Sequence, residues 1–294
     1  MTASVPTAGT RRRLSHQSRG AVVARYAILI AAAAYFVGPI LWLVAAASKT
    51  SAAVVSTPAW SLQGFQLLTN LHDLVTYDGG IYLRWALNSV GYAVLGALVG
   101  TLVAGMGGYY ISLFRFRGRD ALFAIVLGGV LVPTTALALP LFLLFAQVNL
   151  TDTFWAVFLP SVINPFAFFL SRVAADASVP IEVVESARVD GAGETRIFFS
   201  IASRLMLPGL VTVFLTQFVG IWNNFLLPVV MLNDDATYPL TLGLYTWNAQ
   251  IPQAPALQSL VLIGSVVSIA PLAVAFLALQ RFWRNGLNAG AVKA

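Results

Sequence analysis

The chain has no cysteine, which excludes disulfides and thiolate metal sites. Histidine is almost as scarce: His16 lies in an arginine-rich tail and His72 in a polar stretch, so neither is placed for a metal site. Charge is thin as well. Only 10% of the 294 residues are charged and 59% are apolar, where soluble domains carry roughly 25% charged residues. Water alone cannot accommodate that much apolar surface, so the lipid bilayer is the expected second solvent. Lysine occurs only at 49 and 293, after Ser48 and Val292. Neither completes the Gly-Lys-[Ser/Thr] of a P-loop. The chain is therefore expected not to hydrolyse ATP, and no catalytic residue, metal or cofactor is assigned to it.

What it does have is long apolar runs. A helical span needs about 20 such residues, and six stretches qualify: Tyr26–Ala47, Leu87–Leu113, Ala121–Ala146, Thr153–Leu170, Leu205–Met231 and Leu257–Gln280. None contains Asp, Glu, Lys or Arg between its ends. The fold class expected is an all-α membrane protein of six transmembrane helices. Prolines at 39, 133, 140, 160, 165, 228 and 271 predict bent helices around an interior. The first run has 22 residues, longer than the 7–15 of a secretory signal, which predicts an uncleaved span. In the second, Gly96, Gly100, Ala104 and Gly108 repeat every fourth residue, a spacing that lets membrane helices approach closely. Ordinary packing and a gate or subunit interface both fit that stripe.

Charge sets the orientation. With the N-terminus inside, 15 of the 17 cations fall on the inner side: five in the tail, three in Arg115–Arg119, four in Arg172–Arg204 and three near the C-terminus. Only Lys49 and Arg84 remain outside. This is the positive-inside pattern, and it places both termini in the cytoplasm of a bacterial plasma membrane. The net charge of +6 thus reports topology, and nucleic acid is not an expected partner. Residues 1–25 read as a basic, disordered tail, and 26–294 as one transmembrane domain.

The cytoplasmic stretch between the fourth and fifth runs, about Ser171–Arg204, is the most informative. Ser178 is placed to cap a helix that tolerates Pro180 early and gains from Glu182 near its positive end. Gly191, after Asp190, supplies its stop. A second amphipathic segment follows, with Ile197, Ile201 and Leu205 on one stripe. Two short surface helices joined at Asp190-Gly191 are predicted. Small residues at Ser186, Ala187 and Ala192 give the first a smooth face that another protein can approach.

Glu185-Ser186-Ala187, then Gly191 and Ile201, resembles the EAA loop of permease subunits of ABC importers, which reads Glu-Ala-Ala, three residues, Gly, nine residues, Ile, one residue, Leu-Pro. Ser186 departs mildly from the pattern. Ser203-Arg204 stands at the Leu-Pro positions, and Leu207-Pro208 follows four residues later. Leu87-Asn88-Ser89, Phe114-Arg115-Phe116-Arg117-Gly118, Trp222-Asn223-Asn224-Phe225 and the segment Gly286–Ala294 are similar, in order and spacing, to MalG-type sugar permeases. The resemblance covers the chain from about Pro39 onward. It implies a permease with a MetI-like core for a sugar or sugar derivative. The implied partners are a second permease, a cytoplasmic ATPase dimer that binds ATP and Mg, and an extracytoplasmic substrate-binding protein. It implies docking of the ATPase through Glu185, Ser186, Ala187, Asp190, Gly191, Ala192, Phe198 and Ile201. Further ATPase contacts are implied at Gly286, Gly290, Val292 and Lys293. A permease for a non-sugar solute is the alternative.

Uncharged polar residues within the spans are candidates for the translocation path: Asn88, Gln217, Asn223 and Asn224, with Trp222 as a stacking face. Thr134, Thr135 and Asn164 are candidates with them, and all can serve instead as hydrogen-bonding glue between helices, the reading that suits Thr134 and Thr135 better because hydroxyls can bond their own helix backbone. The outer stretch Leu232–Ala256, with Asp234, Asp235, Tyr238, Tyr245 and Trp247, is either a reach toward the binding protein or an interfacial aromatic belt. An ion-coupled carrier lacks its usual charged groups in the spans, and a membrane enzyme would have only His72–Asp73 as a pair to work with.

Overall fold

The structure is a computed structural model that describes residues 19–58, 60–61 and 63–291, with side chains described within 20–282. The basic residues before Arg19 lie outside it, as do Val292 and Lys293. Among the described residues the secondary structure is helical apart from one isolated bridge between Lys49 and Phe65.

Helix α1 (Arg19–Ala47) leads to two short outer helices, α2 (Ser51–Ser56) and α3 (Leu67–Thr76), and then to α4 (Ile81–Leu113). At 33 residues, α4 is about 50 Å long and outreaches a hydrocarbon core of about 30 Å. Helices α5 (Arg119–Gly128), α6 (Thr134–Gln147), α7 (Phe154–Val162) and α8 (Pro165–Ser178) follow. At the surface lie α9 (Ile181–Val189), α10 (Glu194–Ile197) and α11 (Ser203–Leu205), the last two joined by a π-helical turn, Phe198–Ala202. The chain returns through α12 (Leu207–Trp222) and α13 (Leu226–Met231), then α14 (Leu240–Gln250) and finally α15 (Leu257–Ala291).

Four stretches are long and apolar enough to cross a bilayer, and two bent pairs raise the number to six if each counts as one span. The third expected span is not straight: α5 and α6 meet at 99°. Pro133 explains the break, since it offers no N–H and holds Val132 extended, at φ −77° and ψ 119°. The fourth runs past Leu170 to Ser178, with an interruption at Ile163–Asn164. The fifth ends at Trp222 instead of running on to Met231. There Asn223 turns its Nδ2 back to the Val219 carbonyl at 2.8 Å, the local side-chain competition that makes asparagine a helix terminator.

Helix α4 is the hub, packing on α7, α8 and α12. Its small-residue stripe is used within this chain. Gly96 faces Ile221, Gly100 faces Gln217, and Ala104 joins Ala167 and Val213. At Gly108 a Cβ would stand 2.5 Å from the Arg172 nitrogen, so only glycine permits that approach of α4 to α8. The N-terminal half of α4 is sewn to the loop between α13 and α14. Trp85 Nε1 donates to the Asp235 carbonyl at 2.8 Å, Tyr92 donates to the Thr237 carbonyl at 3.2 Å, and Ser89 Oγ accepts from the Leu240 N–H at 2.7 Å. Trp247 is buried against Tyr77, Tyr82 and Trp85. It is therefore neither a belt residue nor an exposed contact, while Tyr245 is 54% exposed.

Candidate functional site: the inner surface shelf

The arginine-rich end of the bundle carries α9 to α11 as a shelf. Its start differs from the expected cap. Ser178 closes α8, its Oγ donating to the Ala174 carbonyl at 2.5 Å, and Pro180 itself takes the N-cap position of α9. The residue before a proline is driven out of the helical region, so Val179 is extended and α8 has to stop there. Glu182 occupies the first turn of α9, where the helix dipole favours it.

The far end of α9 closes as the Asp190-Gly191 pair predicts. Gly191 has φ +81°, its N–H donates to the Arg188 carbonyl, and the Ala192 N–H donates to the Ala187 carbonyl, both at 3.0 Å. This is a Schellman closure, with glycine in the left-handed position it favours. Across the turn Arg188 Nε donates to Glu194 Oε1 at 2.6 Å, and its guanidinium carbon lies 5.1 Å from the centre of the Phe114 ring. The Glu194 hydrogen bond raises the guanidinium pKa above its ordinary value.

The second helix departs from the expected stripe. Ile197 is buried, but the buried series continues through Phe198, Ala202 and Met206, while Leu205 is 39% exposed and Ile201 is half-buried. The π-helical turn inserts an extra residue per turn at Phe198–Ala202, moving the apolar face one position along the sequence. Leu207-Pro208 then opens α12, with proline in the first turn, after an 85° bend. The displaced Leu-Pro pair therefore marks the point where the chain turns into the membrane.

Together the shelf buries Val184, Ala187, Ile197, Phe198, Ala202 and Met206 against Tyr109 of α4 and Ala175 of α8. Of the expected docking residues, Glu185, Ser186, Asp190 and Gly191 are exposed, whereas Ala187 and Phe198 are buried and Ala192 and Ile201 half-buried. The smooth face supplied by Ala187 and Ala192 thus packs inward. The buried four tie the shelf to the bundle; the exposed four, with Glu182 and Val189, form its outer surface. Val189, 86% exposed on this surface, escaped the sequence reading, which followed the motif positions alone. With Arg188 paired to Glu194, the tip carries the carboxylates of Glu182, Glu185 and Asp190.

The path candidates do not converge. Asn88 Nδ2 donates to the Ala236 and Tyr238 carbonyls at 2.9 and 3.0 Å and holds the outer loop. Trp222 is buried beside Phe218, with ring centres 5.9 Å apart. Asn224 accepts from Leu227 N–H, and its carbonyl accepts from Thr241 Oγ1 at 2.8 Å. Gln217 is buried with both amide atoms unpartnered. Gly286 and Gly290 lie within α15, and Val292 and Lys293 fall outside the described residues.

Fold and site together define a multi-pass α-helical membrane protein with a helix–turn–helix shelf at its arginine-rich end. Residues 96–287 match the family of the binding-protein-dependent transport system inner membrane component, and the chain belongs to that family. It is thus a multi-pass component of the bacterial inner membrane and a transport protein by family. It is 35% identical to the arabinooligosaccharides transport system permease protein AraQ of Halalkalibacterium halodurans, over 74% of this chain and 76% of that one. It is 30% identical to the lactose transport system permease protein LacG of Rhizobium radiobacter, over 92% and 96%. In fold it is similar to a chain of a bacterial ABC transporter involved in the import of the acidic polysaccharide alginate. That match has a TM-score of 0.78 and 21% identity, over 91% of this chain and 98% of the other.

Proposed function

We propose that this chain is one permease subunit of an ATP-driven, binding-protein-dependent importer of a sugar or sugar derivative. It crosses the bilayer six times with both ends in the cytoplasm, each bent pair counting as one span. A second permease completes the pathway, an extracytoplasmic binding protein delivers solute, and a cytoplasmic ATPase dimer holds the ATP and Mg. The single observation carrying this reading is the shelf. Its inner face is locked into α4 and α8 through Val184, Ala187 and Phe198, while its outer face offers the three carboxylates of Glu182, Glu185 and Asp190, with the Arg188 charge close enough for Glu185 to act on it. A basic cleft on a partner fits that tip. Closure of the ATPases would move α9 and rock the permease halves between outward- and inward-facing states. The sugar class is supported by the relatives, named for arabinooligosaccharides, lactose and diacetylchitobiose.

The test uses the absence of cysteine. Glu185→Cys gives the chain a single thiol, and a thiol-directed crosslinker in native membranes is expected to capture an ATPase subunit. A reactive thiol at 185 that yields no adduct with any nucleotide-binding protein would refute the assignment.

A further inference from the structure

Gln217 is 1% exposed, and neither Oε1 nor Nε2 has a hydrogen-bond partner. It faces Gly100 on α4. A Cβ built at Gly100 would lie 2.6 Å from Oε1, 2.7 Å from Nε2 and 2.8 Å from the carbonyl oxygen of Val162. A side-chain amide from α12 and a main-chain carbonyl from α7 therefore crowd the same bare glycine. Val162 ends α7, and in a continuous helix its carbonyl would accept from the N–H of Phe166. That N–H donates instead to Asn164 Oδ1 at 2.9 Å. One residue earlier, the helical donor for the Ser161 carbonyl would be Pro165, which has no N–H. The break between α7 and α8 thus frees acceptors beside an amide with two unused donors.

Depth makes this costly. Gln217 is in the middle of α12, about 15 Å from its inner end and so near the centre of the bilayer. The surrounding lipid offers no water to satisfy a stray polar group. Ser161 does not relieve the site, because its own hydroxyl donates to the Val157 carbonyl at 2.7 Å. A small shift of α12 along the Gly100 face would bring donor and acceptor together, and glycine leaves the space for it.

We propose that Gln217 is a positioning residue of the transport cycle. Its amide donates to the freed Val162 carbonyl in the alternate arrangement of the permease and is released in the arrangement described here. The bond favours the alternate arrangement and so sets the balance between the two states. This inference rests on the reading of the chain as part of an ATP-driven importer.

The test uses the whole transporter in lipid nanodiscs, with ATP hydrolysis measured per assembled complex. Rates are taken without binding protein, and with binding protein plus arabinooligosaccharides as the probe solute. Gln217→Met and Gln217→Leu remove the donors at similar volume. Both are expected to assemble and to shift the ratio of stimulated to basal hydrolysis in one direction, by about three- to fifteen-fold, the span of membrane hydrogen bonds. Gln217→Glu, protonated at that depth and keeping one donor, is expected to restore the ratio. A ratio within twofold of the original in both variants would overturn the proposal. So would both rates falling together with the yield of complex, or failure of both variants to assemble, since each marks a purely structural glutamine. A parent complex that hydrolyses no ATP would instead sink the importer reading, and one that hydrolyses without responding to the probe would sink only the choice of sugar. In that last case the basal rate alone is compared, with the same fold-change expected.

Discussion

Replacement of Gly191 separates backbone geometry from contact at the shelf. Its φ of +81° is a conformation that L-residues avoid, yet nothing lies within 4 Å of the position a Cβ would take. Substitution therefore meets strain and no clash. The left-handed conformation costs an ordinary residue about 1–2 kcal/mol, about a 5- to 30-fold change in the local equilibrium. Asparagine tolerates it better, and a β-branched residue is worse. Relaxing the strain would open the two closing bonds to the Arg188 and Ala187 carbonyls and swing Asp190 away from the tip. Transport is expected to rank Gly191, then Gly191→Asn, Gly191→Ala and Gly191→Val, with the valine variant inactive. Its amount in the membrane should be unchanged, because an exposed turn contributes little to insertion. The assay is solute uptake in cells, normalised to chain in the membrane fraction, with co-purification of the ATPase scored alongside. Normal uptake by the valine variant would refute the argument. Equal loss in the asparagine and valine variants would show that bulk at the tip, not backbone strain, governs docking.

Two further perturbations address packing. Gly108→Leu would drive a side chain into the main chain of Ser171 and Arg172, 2.5–2.6 Å from the Cβ position. The chain is expected to vanish from the membrane fraction, whereas Gly220→Ala, with open space around it, should accumulate normally; equal amounts of both would disprove the close approach of α4 and α8. Asn88→Leu removes two hydrogen bonds to the outer loop, worth about 1 kcal/mol each. It should lower the thermal midpoint of the purified complex by a few degrees and leave solute preference unaltered. An altered preference at an unchanged midpoint would place Asn88 on the path instead.

The parts of the fold legible in sequence are those set by local rules. The charge-free runs announced an all-helical membrane fold, four of them as unbent spans, and Asp190-Gly191 announced the closure of α9, because a left-handed turn has few chemical solutions. The failures share a cause in tertiary geometry. A strict 3.6-residue period placed Leu205 inside, but the π-helical turn exists to seat Phe198 against Tyr109, with ring centres 5.4 Å apart, and no spacing rule announces it. Pro133 and Pro140 read alike as span prolines, yet α6 continues through Pro140 while the chain turns at Pro133. Asn88 and Gln217 also read alike, as polar residues within spans. One is saturated by carbonyls of a loop about 150 residues away, and the other is left bare by a break in a neighbouring helix.

The two ends of the bundle are held together by different kinds of contact. The outer end is fastened by many directed bonds from α4 to the outer loop, through Trp85, Asn88, Ser89 and Tyr92. Bonds of that kind resist sliding. The shelf is held chiefly by apolar packing of Val184, Ala187, Phe198 and Met206, contacts that are non-directional and depend on shape fit instead of on paired donors and acceptors. Between the two lies the Gly100–Gln217 contact, where a buried side-chain amide faces a bare glycine with neither of its polar atoms hydrogen-bonded.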